Sequence, residues 1–218
     1  MKEYIFFDIG GTLIKTDEGI TNALKYAFER QNLDFVIPPG ETSFIGPPIL
    51  DSLVDIWGMD GKTAQAMAQT YRKYLEERGF CESRLQGDVA SVLDCLKKTG
   101  KKMYAVSSEW QTLVEKILEH HKISQYFTGI YGADPSGTCT SKEDIISQII
   151  MENHFINEDK KKMAIAGDRW RDMLAGKILE IDFVGVSYGY ADRSEFSSVL
   201  PERIAGSPKE LERILLSL

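Results

Sequence analysis

The chain opens on Tyr4-Ile5-Phe6-Phe7-Asp8-Ile9-Gly10-Gly11-Thr12-Leu13, an apolar run that halts at an acid and then meets two glycines. Four consecutive apolar residues without polar alternation suit a strand buried on both faces. Asp8 ends the run, and Gly10 and Gly11 turn it into a loop. This start predicts a central strand with a polar loop at its carboxyl end.

The next elements are helical. Ile20, Ala23, Leu24, Ala27 and Phe28 recur at helical spacing over residues 20–31. Asp17 and Glu18 stand where the positive end of a helix dipole favours acids. A loop with Pro38, Pro39 and Gly40 follows, then a stiff one, Phe44-Ile45-Gly46-Pro47-Pro48. Residues 50–57 and 62–78 read as further amphipathic helices parted by Asp60-Gly61; Trp57, Tyr71 and Tyr74 read as their packing.

From residue 87 strands alternate with helices. The pattern gives a helix at 88–98 closing at Gly100, a strand at 103–106 ending in Ser107-Ser108, and a helix at 110–121. A strand at 130–131, a helix at 143–153 and a strand at 163–166 ending in Gly167-Asp168 follow. A helix at 172–179, a strand at 183–186 and a final helix from Pro208, capped by Ser207, complete it. Such alternation predicts an α/β fold: a Rossmann-like parallel sheet core with helices on both faces. The strand at 4–7 belongs to that sheet. Residues 1–15 and 87–218 are therefore expected to form the core domain, and residues 16–86 an inserted all-helical cap. Ligands of such sheets bind at the carboxyl ends of the strands, where Asp8, Ser107 and Asp168 fall.

The formal net charge is −7. An acidic surface argues against nucleic acid or an anionic membrane as partner, since both reward Lys and Arg. Cys81, Cys95 and Cys139 are far apart and read as reduced thiols. His120, His121 and His154 do not cluster with them at zinc-ligand spacing. The apolar start is too short for a signal peptide, and no run approaches a membrane span. A soluble, cytoplasmic protein is expected; the sequence leaves the oligomeric state open.

Four signals share the strand ends: the Asp8–Leu13 loop, Ser107, Lys142 just before a helix, and Gly167-Asp168-Arg169-Trp170-Arg171-Asp172. In type, order and placement they resemble the haloacid dehalogenase (HAD) superfamily, whose first motif is usually Asp-x-Asp-Gly-Thr. The cap loop Phe44–Pro48, Gly167-Asp168-Arg169 and Val186-Ser187-Tyr188-Gly189-Tyr190 look like the phosphoglycolate phosphatase and bacterial 5′-nucleotidase-like branch. The resemblance covers nearly the whole chain. It implies a Mg2+-dependent phosphatase of a small phosphorylated metabolite, with Asp8 as nucleophile and metal ligand. It makes the Gly10 carbonyl and Asp168 further ligands, with Asp172 supporting the metal site. Lys142 would neutralise the phosphate and Asp8, and Ser107 would hydrogen-bond a phosphate oxygen. Gly11, Thr12, Ser108, Arg169 and the cap residues Ile45, Gly46 and Pro47 are the expected substrate contacts. Phosphoryl transfer asks mainly for charge neutralisation and in-line placement, which such a set supplies.

The chain departs from the family at position 10. The phosphatases carry a second Asp there, which protonates the leaving group and then deprotonates the attacking water; Gly10 has no side chain. Losing positioned acid–base help costs about 10²–10⁴ in rate. Glu109 stands where close relatives often have Lys, and Glu180 where they often have Gly. Weak activity, or activity on substrates with good leaving groups, is the expectation. The alternative is a degenerate HAD scaffold that binds a phosphorylated ligand or a partner. A dehalogenase and a sugar kinase with an Asp-x-Gly-Gly-Thr phosphate loop rank lower: the Gly10-Gly11-Thr12 loop and cap look phosphatase-like, and no second strand of kinase type follows Leu13. Read singly, Asp8 is also a turn acid, Asp168 and Asp172 a helix cap and a solvated acid, Lys142 a surface lysine and Ser107 a cap.

Overall fold

A computed structural model describes residues 1–38, 44–134 and 141–218. Pro39, Gly40 and Cys139 lie outside the described residues. The chain divides into two compact units, Met1–Lys15 with Leu85–Leu218, and Thr16–Arg84.

The elements run β1 (Tyr4–Asp8), β2 (Ile14–Lys15), α1 (Asp17–Arg30), α2 (Ile49–Asp55), α3 (Gly61–Glu77), β3 (Arg84–Leu85), α4 (Val89–Lys98), β4 (Lys102–Trp110), α5 (Gln111–His120), β5 (Gly129–Ala133), α6 (Lys142–Glu152), β6 (Met163–Gly167), α7 (Trp170–Leu179), β7 (Asp182–Val186), β8 (Ile204–Ala205) and α8 (Pro208–Ser217). The larger unit is a six-stranded sheet in the order β5-β4-β1-β6-β7-β8, and its pairings are parallel. The parallel sheet flanked by helices is the fold that the strand–helix alternation predicts.

β1 is central because its side chains can bury on both faces: Ile5, Phe6 and Phe7 are fully buried. Phe6 stacks on Tyr104 of β4, ring centroids 5.4 Å apart. Ile145, Ile146 and Ile149 of α6 and Ala175 and Leu179 of α7 belong to the same core cluster. Two parallel neighbours thus fix the position of Asp8 at the end of β1, with Asp8 paired in register to Val106.

Three features differ from the sequence reading. β4 does not stop at Val106 but continues to Trp110, with its register shifted between those residues, so Ser107 and Ser108 sit within a strand rather than after one. β8 has only two residues, too few to show a period. β2 and β3 form a separate two-stranded sheet.

In the smaller unit α1 and α3 carry the apolar faces, with Ala23, Leu24, Ala27, Phe28, Met67, Ala68 and Tyr71 buried. Asp60 caps α3, accepting from the Lys62 and Thr63 N–H groups at 3.0 and 3.1 Å. Trp57 packs against Phe28 and Phe35 and donates its indole N–H to the Val36 carbonyl. Among the described residues no helix is long and apolar enough to cross a membrane. Cys81 and Cys95 are free thiols.

Candidate active site

β1 and β6 end side by side, and each delivers an acid to the same place. Asp8 is the last residue of β1; Asp168 follows β6 directly; Asp172 lies one turn into α7. Their carboxylate oxygens come within 4.8 Å of one another, and all three residues are buried. Lys142, the first residue of α6, reaches the cluster from the other side. Its ammonium donates to Asp8 Oδ1 at 2.5 Å and to Asp172 Oδ1. Ser141 caps α6 through the Asp144 N–H, and this sets the helix start that aims Lys142 inward.

The electrostatics follow from burial and crowding. Burial alone would lower the Lys142 pKa, but Asp172 and Asp8 outweigh it and hold the ammonium above its usual range. Burial, opposed by Lys142 and reinforced by Asp8, lifts Asp172 to about 6. Burial, then Asp8 and Asp172, push Asp168 well above the usual carboxylate range. Lys142 gains because two carboxylates serve one ammonium; Asp172 does not, because its complete burial, with Asp8 added, outweighs its share of that ammonium. Fully ionised, three buried carboxylates and one ammonium would carry two net negative charges, and the raised Asp168 and Asp172 pKa values are the answer to that crowding.

Asp168 has one oxygen unspent. Its Oδ2 accepts the Tyr190 N–H at 2.7 Å, while its Oδ1 is buried with no hydrogen-bond partner among the described residues. An orphaned carboxylate oxygen beside two further carboxylates suits a hard divalent cation, which takes oxygen ligands. The nucleophile loop offers another oxygen. Gly11 N–H donates to the Ile14 carbonyl, and Leu13 and Ile14 N–H donate to that of Ile9. Gln86 occupies the Gly11 and Leu13 carbonyls, and the Tyr188 hydroxyl occupies that of Thr12 at 3.1 Å. Among the described residues no hydrogen bond falls on the Gly10 carbonyl. The donor set therefore fits a divalent cation held by Asp8, Asp168, Asp172 and the Gly10 carbonyl.

Glycine is required at position 11 twice over. Its φ is +85°, and a Cβ there would lie 2.0 Å from Asp168 Oδ2. Gly189 flanks the same carboxylate, with a Cβ position 2.3 Å from Oδ2.

The remaining expected residues fall in different places. Thr12 is fully buried and its hydroxyl donates to Asp8 Oδ2 at 3.2 Å. Ser107 follows the residue paired with Asp8, and its Oγ accepts the Glu109 N–H at 3.1 Å; the hydroxyl proton is left for an acceptor. Ser108 is next to it, half-buried in β4. Arg169 points elsewhere: its Nε lies 3.3 Å from Glu195 Oε2, which also accepts the Trp170 N–H at the start of α7. Ile45, Gly46 and Pro47 belong to the smaller unit, with Gly46 at φ +112°. The sequence reading missed Gln86, Glu195 and the backbone of Tyr190. The glycines of Tyr188-Gly189-Tyr190 and of Gln86-Gly87 were the available signal, since each marks a sharp turn.

A doubly wound parallel sheet with an aspartate, a lysine and two further acids at its strand ends defines a class: hydrolases that use a carboxylate nucleophile beside a cation site. The chain belongs to the haloacid dehalogenase-like hydrolases, whose family model matches residues 5–186. It is 28% identical over 213 residues to a 5′-nucleotidase of Pseudomonas aeruginosa, covering 98% of this chain and 95% of that one. It is 26% identical over 211 residues to a phosphoglycolate phosphatase of Aquifex aeolicus, covering 97% and 95%. The crystal structure of a predicted phosphatase from Clostridium acetobutylicum superposes with a TM-score of 0.90 at 28% identity, over 100% of each chain.

Proposed function

We propose that this chain is a Mg2+-dependent, cytoplasmic phosphatase of a small phosphorylated metabolite, slowed by Gly10. The observation that carries the reading is the buried cluster of Asp8, Asp168 and Asp172 with Lys142 bonded to Asp8. The relatives named 5′-nucleotidase and phosphoglycolate phosphatase support a phosphomonoester substrate.

Asp8 is the nucleophile. Thr12 and Lys142 hold its two oxygens apart and oriented. When bound, the cation supplies charge neutralisation between the carboxylate and the phosphate dianion. Lys142 adds a positive charge at the same point, and the Ser107 hydroxyl binds a phosphate oxygen, with Ser108 beside it in β4 and Gly11 and Thr12 shaping the loop that faces the phosphate. An Asp8 oxygen bonds phosphorus as the bond to the leaving oxygen breaks, leaving an aspartyl phosphate. Water then attacks that phosphorus, its proton passes to solvent, and phosphate departs from a restored Asp8. Since Gly10 cannot donate a proton, the leaving oxygen takes one from water. Good leaving groups, such as aryl or acyl phosphates, suffer least. Ile45, Gly46 and Pro47 of the smaller unit and Arg169 of the larger remain candidates for contacts to the rest of the substrate.

Gly10 also favours a second reading, a scaffold that binds a phosphorylated ligand without turnover. Purified protein with Mg2+, assayed on an aryl phosphate and a panel of phosphomonoesters beside Asp8→Asn, separates the two. Mg2+-dependent turnover that vanishes in Asp8→Asn is the expected result. Turnover no higher than that of the variant moves the assignment to the binding scaffold.

A further inference from the structure

Gln86 lies outside the motifs, yet it is 4% exposed and spends its side-chain amide N–H and its backbone N–H on the nucleophile loop. Its side-chain amide donates to the Gly11 carbonyl at 2.7 Å, and its backbone N–H donates to the Leu13 carbonyl at 2.8 Å. It is the residue that follows β3, on the segment that returns the chain to the sheet unit. We propose that Gln86 is a positioning residue of the hydrolase site, one that fixes the loop presenting Asp8 and the Gly10 carbonyl.

Three observations carry the proposal. Gly11 has φ +85°, a conformation in which a glycine is at its least restrained, so the peptide on either side needs an external tether. Gln86 provides it by holding the Gly11–Thr12 peptide plane. That plane carries Thr12, whose hydroxyl donates to Asp8 Oδ2, so a rotation there removes one of the two bonds that orient the nucleophile. The Gly10 carbonyl, free of hydrogen bonds among the described residues, belongs to the peptide just before. Gln86 is suited to the task because an amide N–H is a donor without charge. A Lys in its place would set a second cation near Lys142, and a Glu would set a carboxylate against the Gly11 carbonyl. Tyr188 tethers the adjoining Thr12 carbonyl, so the two side chains hold successive peptides from opposite ends of the sequence.

The inference rests on the hydrolase reading above, and its test separates the two. Gln86→Met keeps length and apolar volume and removes the donor; Gln86→Glu keeps shape and replaces the donor with an acceptor. Wild type and both variants are measured for Tm, for Mg2+ affinity by calorimetric titration, and for kcat and KM on an aryl phosphate. Partners that orient metal ligands typically cost 10–100-fold in affinity or activity when removed. The expected result is a kcat lower by about 10–100-fold, a KM within about threefold, and Mg2+ binding weaker by about tenfold in a folded variant. A folded variant whose kcat and Mg2+ affinity match wild type overturns the positioning role. Failure of both variants to fold overturns it too, since Gln86 is then structural. Wild type with neither turnover nor Mg2+ binding overturns the function reading, and this inference with it.

Discussion

The charge at the strand ends makes a prediction that needs no substrate. Three carboxylates within 4.8 Å of one another carry one ammonium between them. At an effective dielectric of about 20, each like-charged pair at that distance repels by at least about 3 kcal/mol. Asp168 faces two such neighbours, answered by the Tyr190 N–H and, less strongly, by the Lys142 charge. A divalent cation removes that repulsion and binds only the folded chain, so it stabilises by mass action. At a hundred times its dissociation constant the gain is about 2.7 kcal/mol, which for a chain of this size raises Tm by about 5–10 °C. Asp168→Asn should flatten the pattern: its stability in EDTA should depend less on pH than that of wild type, because the carboxyl that burial, Asp8 and Asp172 push upward is gone, and Mg2+ should raise its Tm by less than about 2 °C. Acid should imitate the cation in part. Asp172 is lifted from 3.8 to about 6, so the folded chain binds its proton more tightly than the unfolded one. Metal-free stability then falls as pH rises from about 4 through 6, by about 3 kcal/mol from this residue. His121 opposes this, since burial lowers its pKa; the slope is therefore read against Asp172→Asn, which keeps His121. Urea unfolding in EDTA and in Mg2+, across that pH range, checks each step. A Tm indifferent to Mg2+ in wild type, or an equal shift in Asp168→Asn, would refute the reasoning.

Gly10→Asp restores a side chain where the family has its acid, and kcat on alkyl phosphomonoesters should rise by about 10²–10⁴ in steady-state assays. Lys142→Met leaves Asp8 and Asp172 uncompensated and should cost about 3–5 kcal/mol in metal-free urea unfolding, with turnover lost. Glu180 ends α7 at φ +58°, so Glu180→Gly should stabilise by about 1 kcal/mol, read as a higher urea midpoint at unchanged slope. Tyr188 and Tyr104 have phenols that burial holds above the usual range. Stability should thus fall as pH rises beyond about 10, where the unfolded phenols ionise first, and absorbance titration should show these two ionising only with unfolding, an effect that Tyr188→Phe and Tyr104→Phe each reduce.

The sheet was legible because its strands are buried on both faces, which makes them apolar without alternation. The run Tyr4–Phe7 and the run Met163–Ala166 need nothing else to be read. The acids were legible because they end those runs. Shorter elements carry too few residues for a period: Ile204–Ala205 pairs with β7 only because the chain around it is held there. β4 was read short for another reason. Ser107, Ser108 and Glu109 are polar, and polarity in a strand looks like a loop until the strand's edge is known to face a site. Arg169 was read by sequence position as a ligand contact, but Glu195, 26 residues away, claims it, and no local pattern announces a partner at that distance. Gln86 was missed for the same reason: its bond to Gly11 spans 75 residues.

Glycine at position 10 separates two tasks that a second aspartate would join. A backbone carbonyl is available to a cation whatever the side chain is, whereas proton transfer needs a side chain. On the proposed reading, glycine at position 10 therefore keeps the carbonyl as a donor and removes only the acid. The surrounding loop supports this division. Each neighbouring carbonyl is tethered, by Leu13 and Ile14, by Gln86, or by Tyr188, so the loop keeps its shape without help from a side chain at position 10. Asp168 is buried with an unpaired oxygen, an arrangement that costs stability unless something positive binds there. On the proposed reading that cost, beside a position with no acid side chain, is what a site that neutralises charge without donating a proton would carry, and the leaving group must then depart without help from position 10.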